Sequence, residues 1–69
     1  MGAPAKAKPV RLIDFLYLLG ENEIVVVTVN HGRNSYSNTC KQLEIDLKDY
    51  LTSNIKGIQP YSGTIQIFV

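Results

Sequence analysis

His31 and Cys40 are the side chains whose types point first to chemistry, and each occurs once. A thiol beside an imidazole is a nucleophile–base pair, and a helix N-terminus lowers a thiol pKa. Cys40 follows Thr39, which reads as a helix N-cap, and His31 precedes Gly32 in a turn. A hairpin between them brings the pair within conceivable reach, with Asn30, Asn34 or Asn38 as an orienting third group. The simpler reading is stronger: a turn histidine is usually solvated, and Cys40 is a small residue at a helix start. Glu44, Asp46 and Asp49 lack the ligand spacing of a calcium loop and read as a solvated helix face. One cysteine makes no intramolecular disulfide, and no Cys/His cluster offers a zinc site. Gly20, Gly32, Gly57 and Gly63 are isolated turn or cap residues, so no phosphate loop is present. The expectation is a protein that is not an enzyme, with no catalytic residues, metal or cofactor.

Binding is the remaining class. Lys6 and Lys8 lie in the first eight residues, and the other five basic residues face six acidic ones, leaving that body at −1. A nucleic-acid binder shows a basic patch on its folded part. Tyr36, Tyr61 and Phe68 do not interleave with basic residues as a stacking platform requires. Phe68, Tyr61 and Arg33 make a poor version of one, so a weak nucleic-acid-binding or regulatory module is the alternative to protein binding. The longest apolar run is far short of the ~18 residues that span a membrane. A lone cysteine and no signal peptide predict a cytoplasmic location.

These groups need elements to hold them. MGAPAKAKP has no apolar period and reads as a disordered tail or an added remnant, which leaves residues 10–69 as one domain. In VRLIDFLYLLG, Leu12, Phe15, Leu16 and Leu19 form one helical stripe, and Gly20 suits the position after the helix. Ile13, Tyr17 and Leu18 widen the apolar surface and predict cover on more than one side. NEIVVVTVN is a strand, apolar on both faces and therefore central. NHGRN is a turn, and SYSNTC a weak strand returning from it. TCKQLEIDLKDYLTSN is a second helix with Thr39 and Gln42 as a capping box, Leu43, Leu47, Tyr50 and Leu51 on one face, and Glu44–Lys48 as an i, i+4 pair. Ile45 lies off that face and predicts an irregular first turn.

IKGIQPYSGTIQIFV is a closing hairpin turning at Ser62-Gly63. Its register sets Pro60 opposite Ile65, Ile58 opposite Ile67, Gln59 opposite Gln66 and Gly57 opposite Phe68. Pro60 lacks an N–H, so its strand is an edge and the last strand is interior. The expected fold is α+β: a small antiparallel or mixed sheet of three to four strands, in the order 2-1-4-3, with two helices packed mainly on one face. That face receives Ile58, Ile65, Ile67 and Val69 with one set of valines. The second face is left with the other Val/Ile set plus Phe68 and Tyr61, an apolar surface of the kind that marks association. Burying four such side chains contributes roughly 6–12 kcal/mol before the costs of association. The expected interaction residues are Phe68, Tyr61, Tyr36 and Arg33, and the expected partner is another protein or, most simply, a second copy in a homodimer. In the competing arrangement the helices straddle the sheet and Phe68 merely lies over Gly57.

RLIDFLYLLGENEIVVV resembles the opening of short uncharacterised proteins from phages and mobile elements of Gram-positive bacteria, which begin with a similar helix and a Val-rich strand. IKGIQPYSGTIQIFV resembles their ending, an Ile-x-Pro-Tyr-small-Gly turn leading to an Ile/Val strand. YSNTCKQL sits where they often carry a Tyr-x-Gly-Thr-Val-like segment. The resemblance covers about residues 10–69 and carries over no site residue. It implies a phage-type accessory protein that blocks a host factor by binding it, as inhibitors of bacterial defence systems, the anti-CRISPR kind included, do. Many such inhibitors are strongly acidic, and this near-neutral body departs from that pattern.

Overall fold

β-branched side chains suit a pleated surface covered on both sides. In the computed structural model, which describes residues 10–69, that run forms β1 (Ile24–Val29) inside a four-stranded sheet. β2 (Asn34–Thr39) returns antiparallel beside it, with Val27 opposite Tyr36. β3 (Gly57–Tyr61) and β4 (Thr64–Phe68) form the closing hairpin, with Pro60 opposite Ile65, Ile58 opposite Ile67 and Gly57 opposite Phe68. β4 lies parallel to β1, which makes the sheet mixed, and the strand order is β2-β1-β4-β3. Ser62 and Gly63 have φ of 45° and 81°. Two left-handed residues in succession match the right-handed twist of the flanking strands. Pro60 therefore sits on an outer strand, where its missing N–H leaves no gap in the ladder.

Both helices lie on one face. α1 (Leu12–Leu19) and α2 (Cys40–Asp46) send Leu12, Leu16, Cys40 and Leu43 into a core with Val25, Val27, Val29, Leu47 and Ile67. Ile65 and Val69 are partly buried against it, as the hairpin register predicts, but Ile58 at the β3 edge is largely exposed. Fully burying one such aliphatic side chain contributes about 1.5–3 kcal/mol. Gly20 ends α1 at φ +103°, a conformation open to glycine and costly for other residues.

The second helix is shorter than its sequence pattern. It stops at Asp46 and gives way to a 3₁₀ turn at Lys48–Tyr50. The irregularity lies at its end, not in the first turn that Ile45 marked. The segment that follows it caps the first helix. The Leu12 N–H donates to the Ser53 carbonyl at 3.0 Å and the Ile13 N–H to the Leu51 carbonyl at 2.9 Å. Those carbonyls satisfy orphan donors of α1, whose N-cap residue Arg11 supplies no side-chain acceptor. Residues 51–53 thus serve as the cap of α1, and Lys48 lies beyond the end of α2. Glu44–Lys48 is consequently not an ion pair, and the one salt bridge among the described residues joins Arg11 to Asp14 at 3.1 Å.

The start of α2 is tied to the α1–β1 connection. The Cys40 N–H donates to the Glu23 carbonyl (2.8 Å), the Lys41 N–H to the Glu21 carbonyl (3.0 Å) and the Gln42 N–H to Thr39 Oγ1 (3.2 Å). Half of the expected capping box is therefore made. The Gln42 side chain turns forward to Asp46 Oδ1 (2.9 Å), and the Thr39 N–H is taken instead by Asn38 Oδ1 (2.8 Å). With each end of α1 tied to the opposite end of the α2–3₁₀ segment, the two helices run antiparallel. Among the described residues no helix is long and apolar enough to cross a membrane.

Candidate protein-interaction surface

The face of the sheet away from the helices is not the bare valine-rich surface that the sequence predicts. Val26 is 7 % exposed and Thr28 is 2 % exposed, although no helix covers them. Side chains of the neighbouring strands close over them in a hydrogen-bonded row. Gln59 Nε2 donates to Gln66 Oε1 (3.0 Å), Gln66 Nε2 donates to Thr28 Oγ1 (2.8 Å), and the Thr28 and Ser35 hydroxyls are 2.9 Å apart. The row crosses β3, β4, β1 and β2 in turn. Phe68 lies over Gly57, where an added Cβ would stand 3.8 Å from the ring. The aromatic ring is thus only partly exposed. This is the competing arrangement for Phe68, reached without helices on both faces. Among the described residues, only Ile24 and Tyr61 remain substantially exposed apolar groups on this face, at one end of it, with Thr64 between them in the strand order.

The most exposed large apolar side chains among the described residues lie on the outside of the helical layer. Tyr17 is 83 % exposed, Leu18 78 % and Ile45 64 %. Leu12 and Leu16 point inward with Phe15 and Leu19 flanking them, so a 100° step per residue puts Tyr17 and Leu18 on the outer surface. The same projection sets Ile45 opposite Leu43 and Leu47 on α2. Among the described residues, nothing supplies the cover predicted for more than one side of α1. Tyr17 lines a groove with Leu16, Gly20, Glu21, Lys41 and Glu44. Tyr17 lies two residues before the end of α1, and Ile45 lies five residues after Cys40, next to the end of α2. Lys41 gives the groove one positive charge, and Glu21 and Glu44 give it two negative ones.

The four expected interaction residues do not form one patch. Phe68 and Tyr61 share the open sheet face but sit at opposite ends of the β3–β4 hairpin. Tyr36 is opposite Val27 and so projects on the helical side of the sheet, at its β2 edge. Arg33 closes the β1–β2 turn, its N–H donating to the Asn30 carbonyl at 3.2 Å. Tyr17, Leu18 and Ile45 were outside that set. Their signal was present as an α1 stripe too wide for one face and an α2 residue off its stripe.

His31 and Cys40 are held apart. They lie at opposite ends of the six-residue strand β2, a span of roughly 20 Å at about 3.4 Å per residue. Cys40 is fully buried. Burial pushes its thiol pKa up, the Glu23 and Glu44 carboxylates add to the rise, and a backbone hydrogen bond offsets only part of it. The helix start therefore does not yield a reactive thiolate here. His31 lines a shallow polar cleft with Asn30, Tyr50, Asn54 and Lys56. Asn30 accepts a long hydrogen bond from the Tyr50 hydroxyl (3.5 Å), and Asn38 is occupied by the Thr39 N–H. Among the described residues, no three His, Cys, Asp or Glu side chains gather as metal ligands.

No protein-family model, curated protein or solved structure matches the chain.

Proposed function

We propose that this protein is a non-enzymatic binding module that engages another protein through the outer surface of its helical layer. The observation that carries the reading is the exposure of Tyr17, Leu18 and Ile45 on helices whose inner faces are fully packed. Single exposed apolar residues are ordinary, but Tyr17 and Leu18 on one helix with Ile45 on the helix beside it give the layer an apolar outer surface of the kind that marks association. Tyrosine is enriched at the energetic centres of interfaces, and here it stands beside a groove bordered by Glu21, Lys41 and Glu44. The open sheet face supports this reading by contrast, since its polar groups already bond to one another. In the setting that the sequence resemblance implies, the partner is a host protein blocked by occupation of its surface. The unpaired thiol fits a reducing, cytoplasmic compartment.

Site-specific photo-crosslinking tests the reading. A photoreactive side chain at position 17 in the full chain, expressed in host cells, is expected to give one discrete adduct with a heterologous protein. The same group at position 66 is expected to give none. Adducts from position 66 alone, or a diffuse ladder from both, would overturn the proposal.

A further inference from the structure

The two outer strands differ in how they meet solvent. β3 carries Pro60, one of the devices by which sheet edges resist pairing with other chains. β2 carries none: its residues NSYSNT include no charge and no proline, and it pairs with β1 without a bulge from Ile24–Thr39 to Val29–Asn34. The phase of its hydrogen bonds follows from one contact. The Cys40 N–H donates to Glu23, continuing the same register, so alternate residues 34, 36 and 38 bond inward to β1. The main-chain groups of Ser35 and Ser37 therefore point out from the sheet. The outward N–H of Thr39 is already taken by Asn38 Oδ1, which ends the available ladder there.

We infer that the β2 edge pairs antiparallel with β2 of a second copy, joining two sheets into one of eight strands. A second copy fits because the edge is self-complementary about a two-fold axis. The register that joins outward-pointing Ser35 to Ser37 of the second copy sets Tyr36 opposite Tyr36 on the axis. It also sets Asn34 opposite Asn38, so every pair is uncharged and none brings like charges together. The open faces become continuous, and the polar row ending at Ser35 gains Ser37 of the second copy as its next neighbour. Tyr36, already half-exposed at the rim, meets its equivalent where antiparallel side chains approach most closely. This edge is separate from the helical surface, so self-association and partner binding stand or fall independently.

Sedimentation equilibrium of the full chain tests the inference. The wild type is expected as a dimer at high micromolar concentration. Ser37→Pro removes an outward N–H without removing a β1 bond, and Tyr36→Lys sets two ammonium groups on the axis. Each is expected to weaken dimerisation at least tenfold while circular dichroism stays that of the wild type. Tyr17→Glu is expected to leave it unchanged. Tyr36→Cys is expected to form an intermolecular disulfide under mild oxidation, and Asn34→Cys and the wild type, whose own thiol is buried, are not. A wild-type monomer at millimolar concentration overturns the inference, and so does a dimer that survives both edge substitutions.

Discussion

Among the described residues, no further element covers the open sheet face or the outer helical face, yet the two solve exposure in opposite ways. On the sheet, Gln59, Gln66, Thr28 and Ser35 bond laterally and close over Val26. On the helices, Tyr17, Leu18 and Ile45 stand free. The difference is one of reach. Neighbouring strands lie about 4.8 Å apart, so a glutamine on one strand spans to its neighbour and serves as a lid. Side chains across the outside of two helices, whose axes are 8–10 Å apart, diverge from each other. A sheet face can be sealed from within its own layer, whereas the outward side chains of two helices stay exposed.

That comparison can be broken from either side. The largest effect belongs to the inner face of α1: Leu16→Ala is expected to cost about 2–5 kcal/mol in urea unfolding, because it opens a cavity in a small core. Leu18→Ala, two residues away, is expected to leave the unfolding midpoint nearly unchanged. Equal losses at the two positions would mean that the outer face is covered after all. Next comes the polar row. Thr28→Val keeps shape but removes the hydroxyl shared by Gln66 and Ser35, and it is expected to cost about 1–3 kcal/mol. A neutral result would show that the row does not hold the lid.

A pH dependence follows from Cys40, whose folded pKa is raised by burial and by Glu23 and Glu44. The unfolded thiol ionises first, near about 8.5. The stabilising contribution is therefore complete below that pH and is lost as pH rises through the folded value. Chemical unfolding at alkaline pH is expected to show a decline in stability that Cys40→Ala removes. The smallest expected effects are on the outer helical face, where Tyr17→Glu and Ile45→Lys shift stability by no more than about 0.5 kcal/mol. Both should nonetheless abolish partner capture, while Tyr61→Glu retains it.

Local physics made much of the fold legible. The Ser62-Gly63 turn, the proline two residues before it and the alternation of Ile and Gln together specify the β3–β4 register, and the unbroken valine run specifies a central strand. What escaped was set by distant partners. The course of the segment after α2 depends on the Leu51 and Ser53 carbonyls accepting from α1, a contact that no local window contains. The closing of the second face depends on Thr28 meeting Ser35 and Gln66, which only the assembled strand order brings together. The excess width of the α1 stripe was visible, but a sequence does not distinguish an apolar side that is covered from one that is waiting for a partner. The expected interaction set went to Phe68 for that reason, and its packing over Gly57 emerges only with the hairpin register and the ring rotamer both in place.

Hydroxyl-radical footprinting of the full chain, alone and in host extract, measures the contrast most directly. Protection of Tyr17, Leu18 and Ile45 in extract, with Tyr61 labelled equally in both, is the predicted result. Protection of Tyr61 and Ile24, with Tyr17 and Leu18 still fully labelled, would contradict it.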